Sequence, residues 1–411
     1  MAFTRRSVLK AGAALAVVTT SRAGLARADN PNTIKLGVLT DMAGPYSDLA
    51  GPNSIAAVRE AAREFANPGF AVEILSADHQ NKPDIAANIA RQWIDRDGVD
   101  AIVDVPGSSA ALAVAGITRE KNKVFLASGP ATAELTGPQC SPNTVHWTYD
   151  TYMLANSTGT AVVKGGGDTW FFVTADYVFG QSMEKETSRF VQTAGGKVLG
   201  SVRFPFPGTT DFSSFLVRAQ ASGAKVVGLA AGGSDLINAV KQASEFGLTQ
   251  HGTKLAALVM FITDVHSLGL ESAQGLLLTE TFYWDLNDRT RVFSRRLKDN
   301  FGVQAPTMVH AGCYASTLHY LKAVEDMGVT AAKASGVEAV NHMKAMPTED
   351  DAFGAGSIRA DGRALHPAYL FAVKTPAESR RPWDYYKLLR TTPGEEAFRP
   401  LAEGGCALSR T

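Results

Sequence analysis

Ile34-Lys35-Leu36-Gly37-Val38-Leu39-Thr40-Asp41 runs into Gly44-Pro45-Tyr46-Ser47 and then into a helical pattern from Gly51 to Phe65. The first stretch is a short apolar run ended by turn residues, which reads as a buried strand. The pattern after it places Ile55, Ala56, Val58, Ala61, Ala62 and Phe65 on one helix face. Strand, small-residue loop and helix in that order make the first half of a βαβ unit, and the unit repeats. Further strands are expected at 71–77, 99–105 and 123–127, with helices at 84–96 and 109–119 between them. Strands alternating with helices of this length indicate a parallel sheet covered on both faces.

The pattern breaks at His146-Trp147-Thr148-Tyr149-Asp150 and restarts. Strands at 169–175, 197–203, 225–231 and 254–260 alternate with helices near 151–164, 179–194, 212–222 and 235–246. Two similar α/β units in tandem therefore meet near Tyr149. The stretch 276–283 reads as one more strand, and helices at 289–301, 307–327 and 335–345 follow it. Segments 356–362, 368–374 and 385–389 look extended. The expected organisation is one lobe from 31–148 plus 282–345, a second from 149–281 plus 346–390, and a tail, 391–411, returning to the first. Three crossovers would join them.

Composition sets bounds on function. The 411 residues carry 40 Lys+Arg and 40 Asp+Glu, a formal net charge of zero. Residues 1–28 hold five of the bases and no acid, so the remainder has 35 bases against 40 acids and a net charge of −5. That balance argues against nucleic acid as a partner, which calls for a basic surface. The longest apolar run after the N-terminus, Leu255 to Ile262, falls far short of a bilayer span. Within residues 1–28, Arg5-Arg6 precedes a short apolar segment and then Ala26-Arg27-Ala28. This is the layout of a cleaved export signal of the twin-arginine type, and it predicts a mature protein in the periplasm.

That compartment is oxidising, which gives the three cysteines weight. Cys140 lies in a turn-rich stretch and Cys406 in a glycine-rich tail, whereas Cys313 falls inside a helical pattern. A Cys140–Cys406 bridge is the natural reading, although spacing alone leaves the other pairings open.

Ligands of open parallel sheets bind beyond the carboxyl ends of the strands. Four such ends offer Tyr46 and Ser47, Asp78 to Asn81, Ser108 and Ser109, and Ser128 to Thr132. Helix starts there present free N–H groups suited to an anion, and with no Lys or Arg in these loops a carboxylate fits better than a polyphosphate. Taken singly, Ser109 and Thr132 also suit helix capping; four such loops on one rim argue for a site. The second unit offers Tyr177, Phe179, Gly232 and Asp264. Enzyme signatures are missing: there is no G-x-S-x-G elbow, no H-E-x-x-H and no phosphate-binding loop. The eight histidines lack metal-ligand spacing. No catalytic residue, metal or cofactor is expected.

From Ile34 to about Tyr385 the sequence resembles the solute-binding proteins of ABC importers of the branched-chain amino-acid type. The resemblance rests on the opening strand and loop, Gly107-Ser108-Ser109, Ala131-Thr132-Ala133-Glu134-Leu135-Thr136, Asp176-Tyr177-Val178-Phe179-Gly180 and Asp211-Phe212. It implies two Rossmann-like lobes closing on a ligand, a permease in the inner membrane as partner, and a monomeric receptor. It further implies that Ser109, the backbone around Pro130 and Thr132 hold a ligand carboxylate. Phe179 falls where amino-acid binders often place Tyr, and Gly232-Gly233-Ser234-Asp235 replaces an aromatic-rich loop. Asp264 would then stand in as the acidic partner of an ammonium group. The departures leave two ligand classes open, amino acids and aromatic acids without an amine. A ligand sensor reporting to a regulator on the same fold is the competing function.

Overall fold

The computed structural model describes residues 32–66, 69–248 and 252–410. The export signal expected at 1–28 lies outside them. Among the described residues no helix is long and apolar enough to cross a membrane.

The first unit is a five-stranded parallel sheet in the order β2-β1-β3-β4-β5. Its strands are β1 (Thr33–Thr40), β2 (Ala71–Asp78), β3 (Ala101–Asp104), β4 (Val124–Ala127) and β5 (Thr144–His146). β3 and β4 are buried along their whole length because helices cover both faces, which explains their apolar sequence, broken only by Asp104 at the end of β3. β5 has no counterpart in the sequence reading: three residues are too few to carry a periodic signal. The expected helix 84–96 is an α-helix over Pro83–Gln92 continued by one wider turn, Trp93–Asp97, and stopped by Gly98 in the left-handed region.

The second unit is a four-stranded parallel sheet in the order β7-β6-β8-β9. It comprises β6 (Thr169–Ala175), β7 (Lys197–Phe204), β8 (Val226–Ala230) and β9 (Lys254–Ala257). β9 ends three residues before its predicted limit, and Leu258–Phe261 becomes a loop. The stretch read as a strand over 276–283 forms only β10 (Leu277–Glu280).

After β10 the chain returns to the first unit. Helix Asp288–Phe301 packs on helix Gly51–Phe65, with Asn300 donating to Glu60 at 3.0 Å, and its Phe293 ring lies tilted 4.4 Å from Tyr314 of the helix that follows. Helix Met308–Met327 is buried around nearly its whole circumference, His310, Ser316, Thr317 and His319 included, and carries the free, buried Cys313. Residues 348–365, expected with the second lobe, form β11 (Thr348–Asp350), β12 (Gly354–Ile358) and β13 (Ala364–Leu365). They stay beside first-unit elements, with Arg363 bridging to His146 of β5. Only β14 (Ala368–Val373) and β15 (Tyr386–Thr392) reach the second unit, through antiparallel pairing with β10. The two lobes thus share three chain passages, near 149, near 281–287 and at 366–367. Cys140 and Cys406 are bonded, and Arg399 donates to the Ala133 carbonyl at 2.8 Å, so the tail lies on the first unit.

Candidate ligand site between the lobes

Both sheets have a point where the chain leaves on opposite sides of one strand, between β1 and β3 in one and between β6 and β8 in the other. Loops at these points meet around a cavity whose accessible interior is only about 10 Å³. The first unit contributes Tyr46, Leu49, Pro106 and Ala131; the second contributes Tyr177, Phe179, Gly232, Val259 and Phe261, and Tyr149 comes from the first passage.

The β1 loop is shaped by one carboxylate. Asp41 accepts the N–H groups of Gly44 at 2.7 Å and Tyr46 at 2.8 Å, folding the loop back on the strand end. A side chain at Gly44 would collide with that carboxylate at 2.6 Å, so the turn depends on glycine. The fold-back carries Tyr46 across to the second unit. Its hydroxyl hydrogen-bonds the Tyr177 hydroxyl, and its ring lies 5.6 Å from Phe206, on which Tyr177 stacks at 4.1 Å. The second bridge is backbone to backbone, Ser234 N–H to the Pro45 carbonyl at 3.1 Å. It is possible because Gly233 sits at φ +58°; a Cβ there would stand 2.0 Å from the Pro45 oxygen. The lobes are therefore closed on one another.

Tyr149 donates to the Gly129 carbonyl at 2.8 Å and sets its ring edge-on to Phe261. Burial pushes the phenols of Tyr46, Tyr149 and Tyr177 above their ordinary range, so all three are neutral donors. No Lys or Arg lines the cavity. Around it stand buried carboxyls: burial raises Asp104 to about 6 and Asp235 and Asp264 to about 7. Asp235 is 3% exposed, and its Oδ2 has no hydrogen-bond partner among the described residues.

The residues singled out in the sequence divide into groups. Tyr46, Tyr177, Phe179 and Gly232 line the cavity. Ser108 and Thr132 are buried and hold adjoining loops: Ser108 Oγ accepts from Thr132 N–H, and Thr132 Oγ1 accepts from Glu134 N–H, each at 3.3 Å. Both hydroxyl protons remain to be donated. Ser109 is half-buried in the first turn of helix Ser108–Glu120, and the half-buried Ser47 closes the β1 turn through its N–H to Gly44. The Pro130 carbonyl accepts from His146 Nε2 at 2.8 Å, and the N–H groups of Thr132 and Ala133 donate to Ser108 and Thr151, so Ala131 has the backbone N–H left to offer there. Asp264 does not line the cavity; its carboxylate accepts the Phe261 N–H at 2.9 Å and so aims that ring.

Sequence reasoning passed over Leu49, Val259 and Phe261, whose apolar side chains in apolar surroundings carry no local signal. Tyr149 was visible only as a boundary. Asp235 had a signal, an acid in the first turn of a helix, which reads equally well as a dipole effect. Among the described residues no group of His, Cys, Asp and Glu is arranged to hold a metal.

The sequence matches the family model described as periplasmic binding protein over residues 33–379. A periplasmic binding protein from Burkholderia mallei is 45% identical, with a TM-score of 0.88 over 92% of this chain and 100% of that one. A branched-chain amino acid ABC transporter periplasmic ligand-binding protein from Burkholderia xenovorans is 37% identical, with a TM-score of 0.78 over the same shares. A solute-binding protein from R. palustris in complex with 4-hydroxybenzoate has a TM-score of 0.78 over 89% of this chain and 98% of that one; at 24% identity it speaks for the fold alone. No curated protein sequence matches.

Proposed function

The chain belongs to the periplasmic binding protein family, as a solute-binding protein of the ABC transporter type, and we propose that it captures a small aromatic monocarboxylate between its lobes and hands it to a membrane permease. The observation carrying this reading is the cavity wall. Tyr46, Tyr149, Tyr177, Phe179 and Phe261 come from both sheets and from the passage between them, and no ammonium-pairing carboxylate is among the lining residues.

Five rings around a small closed space favour a flat apolar body. The carboxylate would be held by neutral donors: the hydroxyls of Ser109 and Thr132, the Ala131 N–H and the one phenol proton that the Tyr46–Tyr177 hydrogen bond leaves free. Such donors suffice when they converge in a dry site, where each hydrogen bond to a charged group is worth about 1.5–3 kcal/mol. Binding would start on the first lobe and be completed when the Tyr46–Tyr177 and Pro45–Ser234 bridges form, so that ligand selects the closed state. The protein would act by binding and release, without chemistry on its ligand, in the periplasm and as a monomer.

The orphaned Asp235 carboxyl favours a second reading, an amino acid whose ammonium ionises that group. A thermal-shift and calorimetric comparison of benzoate, 4-hydroxybenzoate, leucine and valine separates them. Stabilisation by the benzoates alone supports the aromatic acid, and stabilisation by leucine or valine alone supports the amino acid. No response to any of the four would refute both.

A further inference from the structure

A second concave site lies outside the lobe interface, where the chain passes from β10 to helix Asp288–Phe301. It is an open cleft of about 460 Å³ between that helix and the turn joining β14 to β15. The helix presents Arg291, Ser294, Arg295 and Lys298 on one face, since these positions are three and four apart. Trp284, Arg381 and Trp383 form the opposite wall. Asp285 holds the two sides together, pairing with Arg291 at 3.1 Å and Arg381 at 2.5 Å, while Asp288 pairs with Arg291 at 2.5 Å. The Trp284 indole donates to the Trp383 carbonyl at 2.9 Å, and the Arg381 guanidinium lies 5.2 Å over the Trp284 ring.

Two features go unexplained by the fold. Arg295 and Lys298 are exposed and, among the described residues, have no acidic partner. Ser294 is 4% exposed, and its hydroxyl has no hydrogen-bond partner. The cleft therefore holds four cations, of which Arg291 and Arg381 are paired with carboxylates and Arg295 and Lys298 are not, on a chain whose residues 29–411 carry a net charge of −5. One wall packs on the first lobe and the other belongs to the hairpin of the second, so an occupant would touch both at once.

The geometry points to a docking cleft for an acidic peptide segment of the membrane partner; this rests on the reading that the protein delivers its ligand to such a partner. Carboxylates of the segment meet Arg295 and Lys298, a donor or acceptor reaches Ser294, and an apolar side chain lies against the indoles of Trp284 and Trp383. A flat anionic lipid surface fits less well, because Ser294 lies at the bottom of a concave site. Contact with both walls makes the cleft sensitive to how the lobes stand, which is what a partner needs in order to distinguish a loaded receptor from an empty one.

The test uses the mature protein, fluorescein-labelled hexa-aspartate and anisotropy at low salt. The wild type should bind the peptide, with affinity falling as salt rises. R295E/K298E should lose at least tenfold in affinity, whereas K164E/K241E, the same charge change on other exposed lysines, should not. Absence of peptide binding, equal loss in both double variants, or binding to phosphatidylglycerol vesicles without competition from hexa-aspartate overturns the proposal. A parallel thermal-shift titration of R295E/K298E with benzoate, leucine and valine reports on the inter-lobe cavity alone. Its failure in wild type and variant alike removes the ligand reading and leaves the peptide result standing.

Discussion

The backbone N–H of Ser234, at the start of a second-lobe helix, donates to the carbonyl of Pro45 in a first-lobe loop at 3.1 Å. Closure thus includes a main-chain bond that no side-chain substitution removes directly, but one at Gly233 removes it indirectly. Gly233→Val places a Cβ 2.0 Å from the Pro45 oxygen on a backbone at φ +58°. Ligand affinity should fall at least tenfold while circular dichroism stays unchanged, and small-angle scattering should show a more open particle with ligand present. A fully closed variant would contradict the role given to this bond.

The Tyr46 and Tyr177 hydroxyls form the second bridge. Tyr46→Phe leaves the Tyr177 hydroxyl without this partner, and each single change should cost about 1 kcal/mol of closed-state stability. The double variant should cost less than the sum of the two, because both remove one interaction. Calorimetry on all four proteins measures the coupling; strict additivity would mean the hydroxyls act separately.

Affinity for a carboxylate should depend on pH. Burial holds Asp235 and Asp264 near 7 and Asp104 near 6, so these neighbours of the cavity are largely neutral at pH 5.5 and largely ionised at pH 8. An anion gains nothing from them when neutral and is repelled when they are charged. Benzoate, ionised throughout, should bind several-fold more tightly at pH 5.5 than at pH 8, and Asp235→Asn should flatten the profile. Affinity that rises with pH would reverse the assigned electrostatics.

The same group affects folding. Asp235 is raised above its unfolded value, so the native state holds its proton longer than the unfolded state does. Its contribution is fully present below about pH 4 and is lost as pH rises through about 7. The stability of Asp235→Asn relative to wild type should therefore increase between pH 4 and 7, by roughly 1–3 kcal/mol. Urea denaturation at the two pH values measures it.

Thr132 has two tasks, capping the turn Ala133–Thr136 and, on the proposed reading, donating to the ligand. Thr132→Ser keeps both and should bind normally. Thr132→Ala should lose about 1 kcal/mol of stability from the cap and tenfold or more in affinity. An alanine variant that loses stability but no affinity confines the residue to capping.

The alternation of apolar runs and amphipathic stretches made both parallel sheets legible from sequence, because fully buried strands and their covering helices leave strong local patterns. β5 was not legible, being held by neighbours rather than by its own three residues. Where residues 348–365 pack was not legible for a related reason: the strands themselves show in the sequence, but their neighbours are decided by tertiary contacts such as Arg363 with His146. In the site, the rule of strand ends led to Tyr46, Tyr177, Phe179 and Gly232. It could not foresee that the Pro130 carbonyl serves His146 or that Asp264 serves Phe261, since each is a choice among equally suitable partners.

The bond between Cys140 and Cys406 spans 266 positions, and the tail it fastens sends Arg399 to the carbonyl of Ala133, next to Thr132. A loop adjoining the first-lobe wall of the cavity is thus held by residues synthesised long after it. A chain arrested anywhere before Cys406 can form both sheets yet lacks the bond that fastens the tail beside Thr132.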